Sequence, residues 1–358
     1  MTKREFLRIL GLATLGLTSG SLFNYGCKKR KSFQKNWVWM SSQHFTSPDE
    51  WKKMFARMKK HRIDAALVQG EIETFRKILP IGREEGIEIH SWIFTLMCDR
   101  KEIIEDHPDW YTVNRNGVSS LEKPPYVDYY KWLCPSHPEV QEYLKERVSE
   151  LAELDGLKGI HLDYVRYPDV ILPIGIQPKY NLVQDREYPQ FDFCYCSVCR
   201  KAFKEQYGAD PLELPDPPSN IAWRQFRYDS VTNLVNKLAV VAHNKSRMLT
   251  AAVFPTPDIA RRLVRQDWPN WHLDSVMPMI YHKFYNKGVK WIKKATQEGV
   301  KALSPTTKLY SGLFVPALSP SDLVRAVSFA SEGGAKGIVL FNAEAMTDAH
   351  WKSLGRVL

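Results

Sequence analysis

The chain has 358 residues, of which 44% are hydrophobic and 12% aromatic, enough to bury one large core. Its formal net charge is +10, but residues 1–35 hold eight lysines and arginines against one glutamate, and so account for +7 of it. The remaining residues carry only +3, which argues against nucleic acid as a partner of the folded part.

Residues 1–27 have the pattern of an export leader. A charged start, MTKREFLRIL, precedes the stretch ILGLATLGLTSGSLF, which is too short and too rich in small residues for a membrane span. TKREFL resembles a twin-arginine signal in its Lys-Arg form. Cys27 follows Gly26 as in bacterial lipoproteins, although the residues before Gly26 fit that cleavage site poorly. An ordinary cleaved signal and an uncleaved anchor are the alternatives to lipidation.

We therefore predict a leader over residues 1–27, a basic tether over 28–35 and a working domain over 36–358. The protein is expected to be exported to the periplasm or the cell surface, with a lipid anchor at Cys27 as one possibility. Contact with a membrane is expected only through the lipid or the leader. The oligomeric state is left open.

Eight apolar or β-branched runs follow, and they alternate with segments in which apolar residues recur every three to four positions. The runs predict strands and the segments between them predict helices. The predicted strands are Asn36–Ser41, Asp64–Gly70, Ile87–Met97, Gly159–Val165, Met248–Phe254, Asp274–Tyr281, Lys308–Val315 and Gly337–Asn342.

Helix starts are marked by capping signals. Ser47 and Ser136 each stand three residues before a glutamate, and Ser319 stands three before Asp322. Eight strand–helix units in strict alternation predict an α/β fold, a parallel (β/α)8 or TIM barrel. An open doubly wound sheet fits less well, because no glycine-rich phosphate loop follows an early strand.

Two connections exceed the roughly two to six residues typical of such units. One runs from Cys98 to Ser136 after the third strand, and the other from Tyr167 to about Asn220 after the fourth. Both follow strand C-termini, where barrel enzymes carry their sites. Aromatic rings in the first loop suit the apolar faces of sugars, or pack a small core of their own. They are His107, Trp110, Tyr111, Tyr126, Tyr129, Tyr130 and Trp132.

The fourth strand ends in KGIHLDYVRYPDV, where a buried run meets charged and tyrosine side chains. Alternation places His161 and Asp163 on one face and Leu162 and Tyr164 on the other. An inward Asp163 would lie at the mouth of the barrel. Arg166 would hold it ionised, which suits a nucleophile or charge stabiliser better than a general acid. A purely structural carboxylate, hydrogen-bonded to Arg166 or a backbone amide, is the alternative.

Several segments together resemble one family. HPDW, WLCPSHPEVQEYL, GIHLDYVRYP, WRQF and QDWPNWHLDSVMPMIY are similar to the family-10-like glycosyl hydrolases, which are distinct from true family-10 xylanases. The resemblance covers about residues 36–345. It implies a TIM barrel that cleaves or binds a polysaccharide, often as a bacterial envelope lipoprotein, with cell-wall glycan among the candidate substrates. Many members carry two consecutive acids on strand four, whereas this chain has Tyr164 in the second place.

Glycoside hydrolysis needs two carboxyl groups, so a partner for Asp163 must come from another strand end. Glu344, after the eighth strand, is the preferred general acid. Glu71 after the second strand, Asp99 after the third and Asp258 after the fifth are alternatives. Glu71 also suits the first turn of a helix. No metal or other cofactor is expected in this reaction.

Side chains near strand ends are predicted to line the mouth of the barrel and bind a polysaccharide or oligosaccharide. Each alone is also compatible with packing or with an indirect hydrogen bond. They are Gln69, Trp92, His161, Arg166, Tyr167, Tyr281, His282 and Asn342.

Five cysteines follow the leader. Cys194, Cys196 and Cys199 lie in CYCSVC, a spacing that suits a metal, with Cys98, Cys134 or a histidine as the fourth ligand. Outside the cytoplasm disulfides are the default, and Cys98 and Cys134 bracket one loop and could pair. Disulfides, a structural zinc and free thiols all stay open. Twin-arginine export, which moves folded proteins, would favour zinc.

Two other functions stay open beside glycoside hydrolysis. A non-catalytic carbohydrate-binding barrel is expected if no second carboxylate lies within about 10 Å of Asp163. A metal-dependent hydrolase would use His161 and Asp163 as ligands, although their spacing also fits a hydrogen-bonded pair. The sequence has no Ser-His-Asp elbow, phosphate loop or nucleotide fingerprint, so acyl transfer and nucleotide chemistry are unsupported.

Overall fold

Eight parallel strands close into a barrel in the computed structural model, which describes residues 33–358. The strands are β1 (Trp37–Ser41), β2 (Ala65–Gln69), β3 (Glu88–Phe94), β4 (Gly159–Asp163), β5 (Met248–Val253), β6 (Ser275–Pro278), β7 (Lys308–Phe314) and β8 (Gly337–Phe341). Each pairs with its neighbours in chain order, and β8 returns to β1 with Val339 opposite Trp37. The predicted (β/α)8 barrel is confirmed.

Ten α-helices are present in the described residues, eight around the barrel and two in its long loops. The outer eight are α1 (Pro48–Lys60), α2 (Ile72–Glu85), α4 (Pro138–Ala152), α6 (Ile221–Asn244), α7 (Pro257–Val264), α8 (Trp291–Ala302), α9 (Pro320–Glu332) and α10 (Asp348–Leu354). The other two, α3 (Lys101–Asp106) and α5 (Ser197–Tyr207), lie in the loops after β3 and β4. None of the helices in residues 33–358 combines the length and apolar character needed to cross a bilayer.

The capping signals are confirmed at two helices and wrong at a third. Ser47 forms a capping box at the start of α1, and the Ser319 hydroxyl accepts the Asp322 amide at the start of α9. The cap of α4 is His137, whose side chain makes no capping bond. Ser136 instead donates to the Ser230 hydroxyl at 2.9 Å.

Alternate residues of each strand enter two different cores. On β1, Val38 and Met40 pack between the strands and the helices, whereas Trp37 and Trp39 fill the barrel interior. Both layers are well packed, because all four of these side chains are at most 1% exposed. Since the interior is filled, a ligand can enter only above its last layer of side chains.

The predicted leader, Cys27 and residues 28–32 of the predicted tether lie outside the described residues. Lys35, at the end of that tether, contacts the barrel, because its ammonium pairs with Glu88 of β3 at 2.6 Å. The loop after β3 and the loop after β4 are joined by an isolated bridge between Asn114 and Phe193. The two longest connections therefore pair with each other at this point.

Candidate functional site

A pocket of about 340 Å³ opens at the C-terminal ends of the strands. Fourteen of its 22 lining residues are aromatic, and its charged lining residues within the described chain are Asp163, Arg166 and Asp169. Trp39 and Trp92 also belong to the interior core, so the floor of the pocket is the top of the barrel interior. The aromatic lining residues are Trp39, Trp92, Phe94, Tyr126, Tyr129, Tyr130, Tyr164, Tyr180, Phe254, Tyr281, Phe284, Tyr285, Phe314 and Phe341.

Asp163 is the last residue of β4 and reaches the pocket from the inner face of the barrel. Its Oδ2 accepts the indole N–H of Trp92 at 3.0 Å, and its Oδ1 accepts the backbone amide of Tyr164 at 2.7 Å. Both carboxylate oxygens therefore have hydrogen-bond partners. The residue is 8% exposed and lines the cavity. The predicted inward orientation is confirmed.

The chain turns sharply after Asp163. Tyr164 has a φ of 50°, in the left-handed region that side-chain-bearing residues rarely adopt. The turn breaks the strand alternation, which predicted that Tyr164 would face the helices with Leu162. Leu162 does face them, but Tyr164 lines the pocket and packs edge-on against Phe94, with ring centroids 5.0 Å apart.

Arg166 forms its ion pair with Asp169 and not with Asp163. Its Nη1 donates to Asp169 Oδ2 at 2.9 Å, and its Nη2 donates to the Tyr130 hydroxyl at 2.9 Å. The guanidinium also lies 4.8 Å from the ring centre of Trp132. The guanidinium N–H groups are hydrogen-bonded and its flat face packs on an aromatic ring. Arg166 therefore holds several residues of the pocket wall together.

Burial raises the pKa of Asp163, and its hydrogen bonds with the Tyr164 amide and Trp92, together with the charge of Arg166, offset only part of that rise. Arg166 acts in the predicted direction, but it does not hold the pKa of Asp163 down, because burial outweighs its charge. A carboxyl with a raised pKa suits a proton donor, whereas the sequence predicted a nucleophile or charge stabiliser.

His161 lies inside the barrel and is not in the lining of the pocket. Its Nε2 accepts the Trp39 indole N–H at 3.0 Å, so its Nδ1 carries the proton and donates to Thr250 Oγ1 at 2.8 Å. Burial lowers the pKa of His161 well below its usual range. With both nitrogens engaged, it neither pairs with Asp163 nor offers a lone pair to an ion shared with it.

The predicted substrate-binding residues divide into two groups. Trp92, Arg166 and Tyr281 line the pocket, and each is less than 10% exposed. The others lie outside its lining, so their predicted contact with substrate has no support from the pocket. They are Gln69, His161, Tyr167, His282 and Asn342.

Two of these side chains are buried elsewhere. Tyr167 is fully buried, and burial together with the nearby thiols of Cys199 and Cys134 raises its pKa well above the usual range. His282 is 1% exposed, and burial lowers its pKa. Both residues lie four positions past the end of a strand, and neither is in the lining of the pocket.

Glu344 belongs to a small hydrogen-bonded group at the ends of β1, β2 and β8. Its Oε1 accepts the backbone amide of Ser41 at 2.9 Å, while the Ser41 hydroxyl donates to Gln69 at 2.9 Å. Glu344 is not in the lining of the pocket that holds Asp163. Its predicted role as general acid therefore stays a prediction without support from the pocket.

The alternative partner acids face solvent. Glu71, Asp99 and Asp258 are all exposed, and none lines the pocket. Glu71 precedes the first residue of α2 and Asp258 lies in the first turn of α7, where a negative charge favours the helix dipole. Their positions match structural roles.

Sequence reasoning missed Asp169 as a pocket residue. It stands in the same DYVRYPD segment as Asp163, three residues after Arg166, but spacing alone does not show which acid the guanidinium contacts. Trp39 and Phe341 were also missed, although both lie near the ends of inner strands and alternate with outward residues. That alternation was the signal that could have identified them.

The pairing of Cys98 with Cys134 is wrong. Both cysteines are free, and the Cys134 sulfur lies 3.4 Å from that of Cys199 in the other loop. The sulfurs of Cys194 and Cys196 join the same cluster, whereas Cys98 is not part of it.

Comparisons with known proteins agree with this geometry. A family model described as "Glycosyl hydrolase-like 10" matches residues 50–323. The search of curated proteins finds no match. Many solved structures share the fold, and glycoside hydrolase barrels are among them.

Three of the similar structures illustrate the likeness. The PgaB (BpsB) glycoside hydrolase domain from Bordetella bronchiseptica has a TM-score of 0.64 at 12% identity, covering 90% of this chain and 98% of that one. The catalytic domain of a β-amylase from Paenibacillus polymyxa has a TM-score of 0.63 at 11% identity, covering 90% and 97%. A β-galactosidase from Halorubrum lacusprofundi has a TM-score of 0.64 at 12% identity, covering 90% and 57%. At these identities the likeness shows the fold alone.

Proposed function

Because this chain belongs to the glycosyl hydrolase-like 10 family, we propose that it binds a glycan in the aromatic pocket and hydrolyses an O-glycosidic bond there, with Asp163 as the proton donor. The observation that carries the proposal is the environment of Asp163. A buried carboxyl with a raised pKa faces a cavity of suitable size at the C-terminal end of a barrel.

The aromatic walls supply the binding surface. Flat rings such as those of Tyr281 and Phe341 present apolar faces, on which the C–H groups of a sugar ring can stack. The lining is short of charged groups, so a neutral glycan suits it better than a highly charged one. Polysaccharide or oligosaccharide, with cell-wall glycan among the candidates, is the substrate class that we propose.

The proton transfer follows from the state of Asp163. Its protonated carboxyl donates the proton to the glycosidic oxygen as the bond from that oxygen to the anomeric carbon breaks. Water adds to the anomeric carbon, and the proton that the water loses must reach a base. The two hydrogen bonds from Trp92 and Tyr164 then stabilise the carboxylate that Asp163 leaves behind.

Asp169 is the other carboxylate in the pocket lining, and we assign it the role of that base. It is 3% exposed and hydrogen-bonded by Arg166 and Tyr130 through one oxygen, Oδ2. The two carboxyl groups thus have different environments, one without a salt bridge and one with an arginine. Different environments of this kind allow two carboxyl groups in one site to act as acid and as base.

The ion pair between Arg166 and Asp169 favours a second function, glycan binding without cleavage. If Arg166 keeps Asp169 fully engaged, the pocket has a single free carboxyl group and lacks the second group that hydrolysis needs. The protein would then bind a glycan without cleaving it. This alternative keeps the same ligand class and the same pocket.

The location of the activity is a separate proposal. The leader pattern of residues 1–27 supports export, with Cys27 as a candidate lipid attachment site. A protein exported in this way would meet envelope or extracellular glycans.

Replacing Asp163 by Asn tests the hydrolase proposal. The purified protein and the Asp163→Asn variant are screened against bacterial and plant glycans by release of reducing ends, and binding is followed by calorimetry. We expect kcat to fall by about 10²–10⁴-fold with binding retained, because the proton donor is lost while the walls are unchanged. Asp258→Asn is the matched control, since that carboxylate is exposed and outside the pocket. Equal activity of Asp163→Asn and the parent would contradict the hydrolase proposal. If the parent binds glycans but does not cleave them, the binding function is supported instead.

A further inference from the structure

Four buried cysteines bring their sulfur atoms together at the base of the two long loops. We propose that Cys134, Cys194, Cys196 and Cys199 bind one zinc ion in a closed, structural site. Within residues 33–358 this is the one cluster of three or more His, Cys, Asp or Glu side chains whose ligand atoms converge on a common point. The inference is independent of the proposed glycan chemistry.

The sulfur separations match a tetrahedral site. All four atoms lie within 4.8 Å of one another, with Cys134 at 3.4 Å from Cys199 and 3.7 Å from Cys196. A tetrahedron with zinc–sulfur bonds of about 2.3 Å has sulfur–sulfur edges of about 3.8 Å. A disulfide requires about 2.05 Å, and the Cys134 sulfur lies much farther than this from those of Cys199 and Cys196. The geometry therefore fits one ion shared by four thiolates.

The surroundings favour thiolates over thiols. The backbone amide of Val113 points at the Cys194 sulfur at 3.4 Å. Cys196 is the N-cap residue of α5, and Cys199 lies in the first turn of that 11-residue helix, where the dipole favours negative charge. Three separate observations thus point to a bound metal ion: four side chains converge, an amide donates to one sulfur, and a helix begins at the cluster.

A zinc ion with four thiolates carries a net charge of −2. A buried positive charge beside the cluster, that of Arg227, would favour this net negative charge. Arg227 is fully buried and donates to the carbonyl of Phe193, the residue before Cys194, at 3.1 Å. It also pairs with Asp192, and one of its guanidinium nitrogens is buried with no hydrogen-bond partner. A nearby anion would offset the cost of that unpaired donor.

The ligand set makes the site structural. Four soft sulfur ligands select zinc or iron, and a full set leaves no open position for water or substrate. Cys134 comes from the loop after β3 and the other three come from the loop after β4. The same loops carry Tyr130 and Tyr180 to the pocket wall. The ion would hold these two walls together.

Metal content and cobalt substitution test the site. The full chain is purified, dialysed against buffer without added metal and measured by mass spectrometry for zinc and iron. We expect about one zinc per chain, and less than about a tenth of that in Cys134→Ser and in Cys199→Ser. Cys98→Ser is the matched control, because Cys98 is buried in the same loop as Cys134 but outside the cluster, and it should retain zinc. Circular dichroism establishes whether each variant is folded.

A second measurement on the unaltered protein keeps the proposal testable if the serine variants fail to fold. Protein stripped of metal under reducing conditions is titrated with Co²⁺ alone, and the visible absorption of tetrahedral cobalt thiolate should appear and be abolished by added Zn²⁺. A protein without zinc even after refolding in zinc salt, a disulfide among the four cysteines in the unreduced chain, or stoichiometric iron would each overturn the assignment.

Discussion

At the scale of single residues, the proposed function depends on the interactions that set the pKa of Asp163. Burial disfavours its charged form, whereas hydrogen bonds from Trp92 and from the Tyr164 amide favour it. Burial prevails, because a charge in an aromatic cavity loses more hydration than two donors replace. In the proposed hydrolysis Asp163 is the proton donor, so its pKa should set the alkaline limit of activity.

Replacing Trp92 by Phe should move that limit upward. The change removes the N–H that donates to Asp163 Oδ2 at 3.0 Å and so destabilises the carboxylate. The pKa of Asp163 rises further, and the carboxyl stays protonated to higher pH. We expect the alkaline limb of kcat/KM against pH to shift up by about one unit, the worth of a hydrogen bond to a charged group.

Trp39→Phe is the matched control for Trp92→Phe, because it removes an indole N–H from the same pocket that donates to His161 instead. The limb should stay in place in this control. A downward shift in Trp92→Phe, or the same shift in both variants, would show that another group sets the alkaline limit.

The predictability of these residues varied for a physical reason. Asp163 and Trp92 could be predicted because both lie within strands, where side-chain alternation fixes their direction. The partner of Arg166 could not, because two acids lie within three residues of it and only the turn at Tyr164 decides between them. Alternation ends where a strand ends, and site residues are concentrated there.

At the scale of elements, β4 positions the carboxyl group and has little room to shift. A Cβ added to Gly159, its first residue, would lie 2.5 Å from the Met248 carbonyl oxygen and 2.7 Å from the His90 ring. The close approach to both neighbouring strands needs glycine. Packing at the start of β4 thus fixes the position of Asp163 along the barrel axis, at the other end of the strand.

Gly159→Ala should therefore destabilise the fold. The added methyl group meets backbone that cannot move without shifting β5, and we expect the free energy of unfolding in urea to fall by about 1–3 kcal/mol. Gly288→Ala is the control, because a Cβ there meets nothing within 4 Å, and its effect should stay within about 0.5 kcal/mol. Equal stability of Gly159→Ala and the parent would mean that the strand moves freely at this point.

The long loops show where element-level prediction ends. Their lengths and positions after β3 and β4 could be predicted from the gaps between periodic segments. The meeting of Cys134 with the CYCSVC segment could not, because it depends on how two loops fold against each other. Sixty residues separate Cys134 from Cys194, and no local pattern relates them.

At the scale of the whole molecule, the residues that fill the barrel interior are largely different from those that line the pocket. Trp37, Tyr310 and their neighbours fill the interior, while the pocket above is built from strand ends and two loops. The barrel could be predicted because each of its eight units carries its own strand and helix pattern. The composition of the pocket depends on loops that carry no such period, so only part of its lining could be predicted.

The most direct test of the central claim is a crystal structure of the Asp163→Asn variant with an oligosaccharide that the parent cleaves. We expect sugar rings stacked on the aromatic walls and a glycosidic oxygen about 3 Å from the substituted side chain at the end of β4. A sugar bound outside this pocket, or a scissile linkage beyond hydrogen-bond reach of position 163, would contradict it.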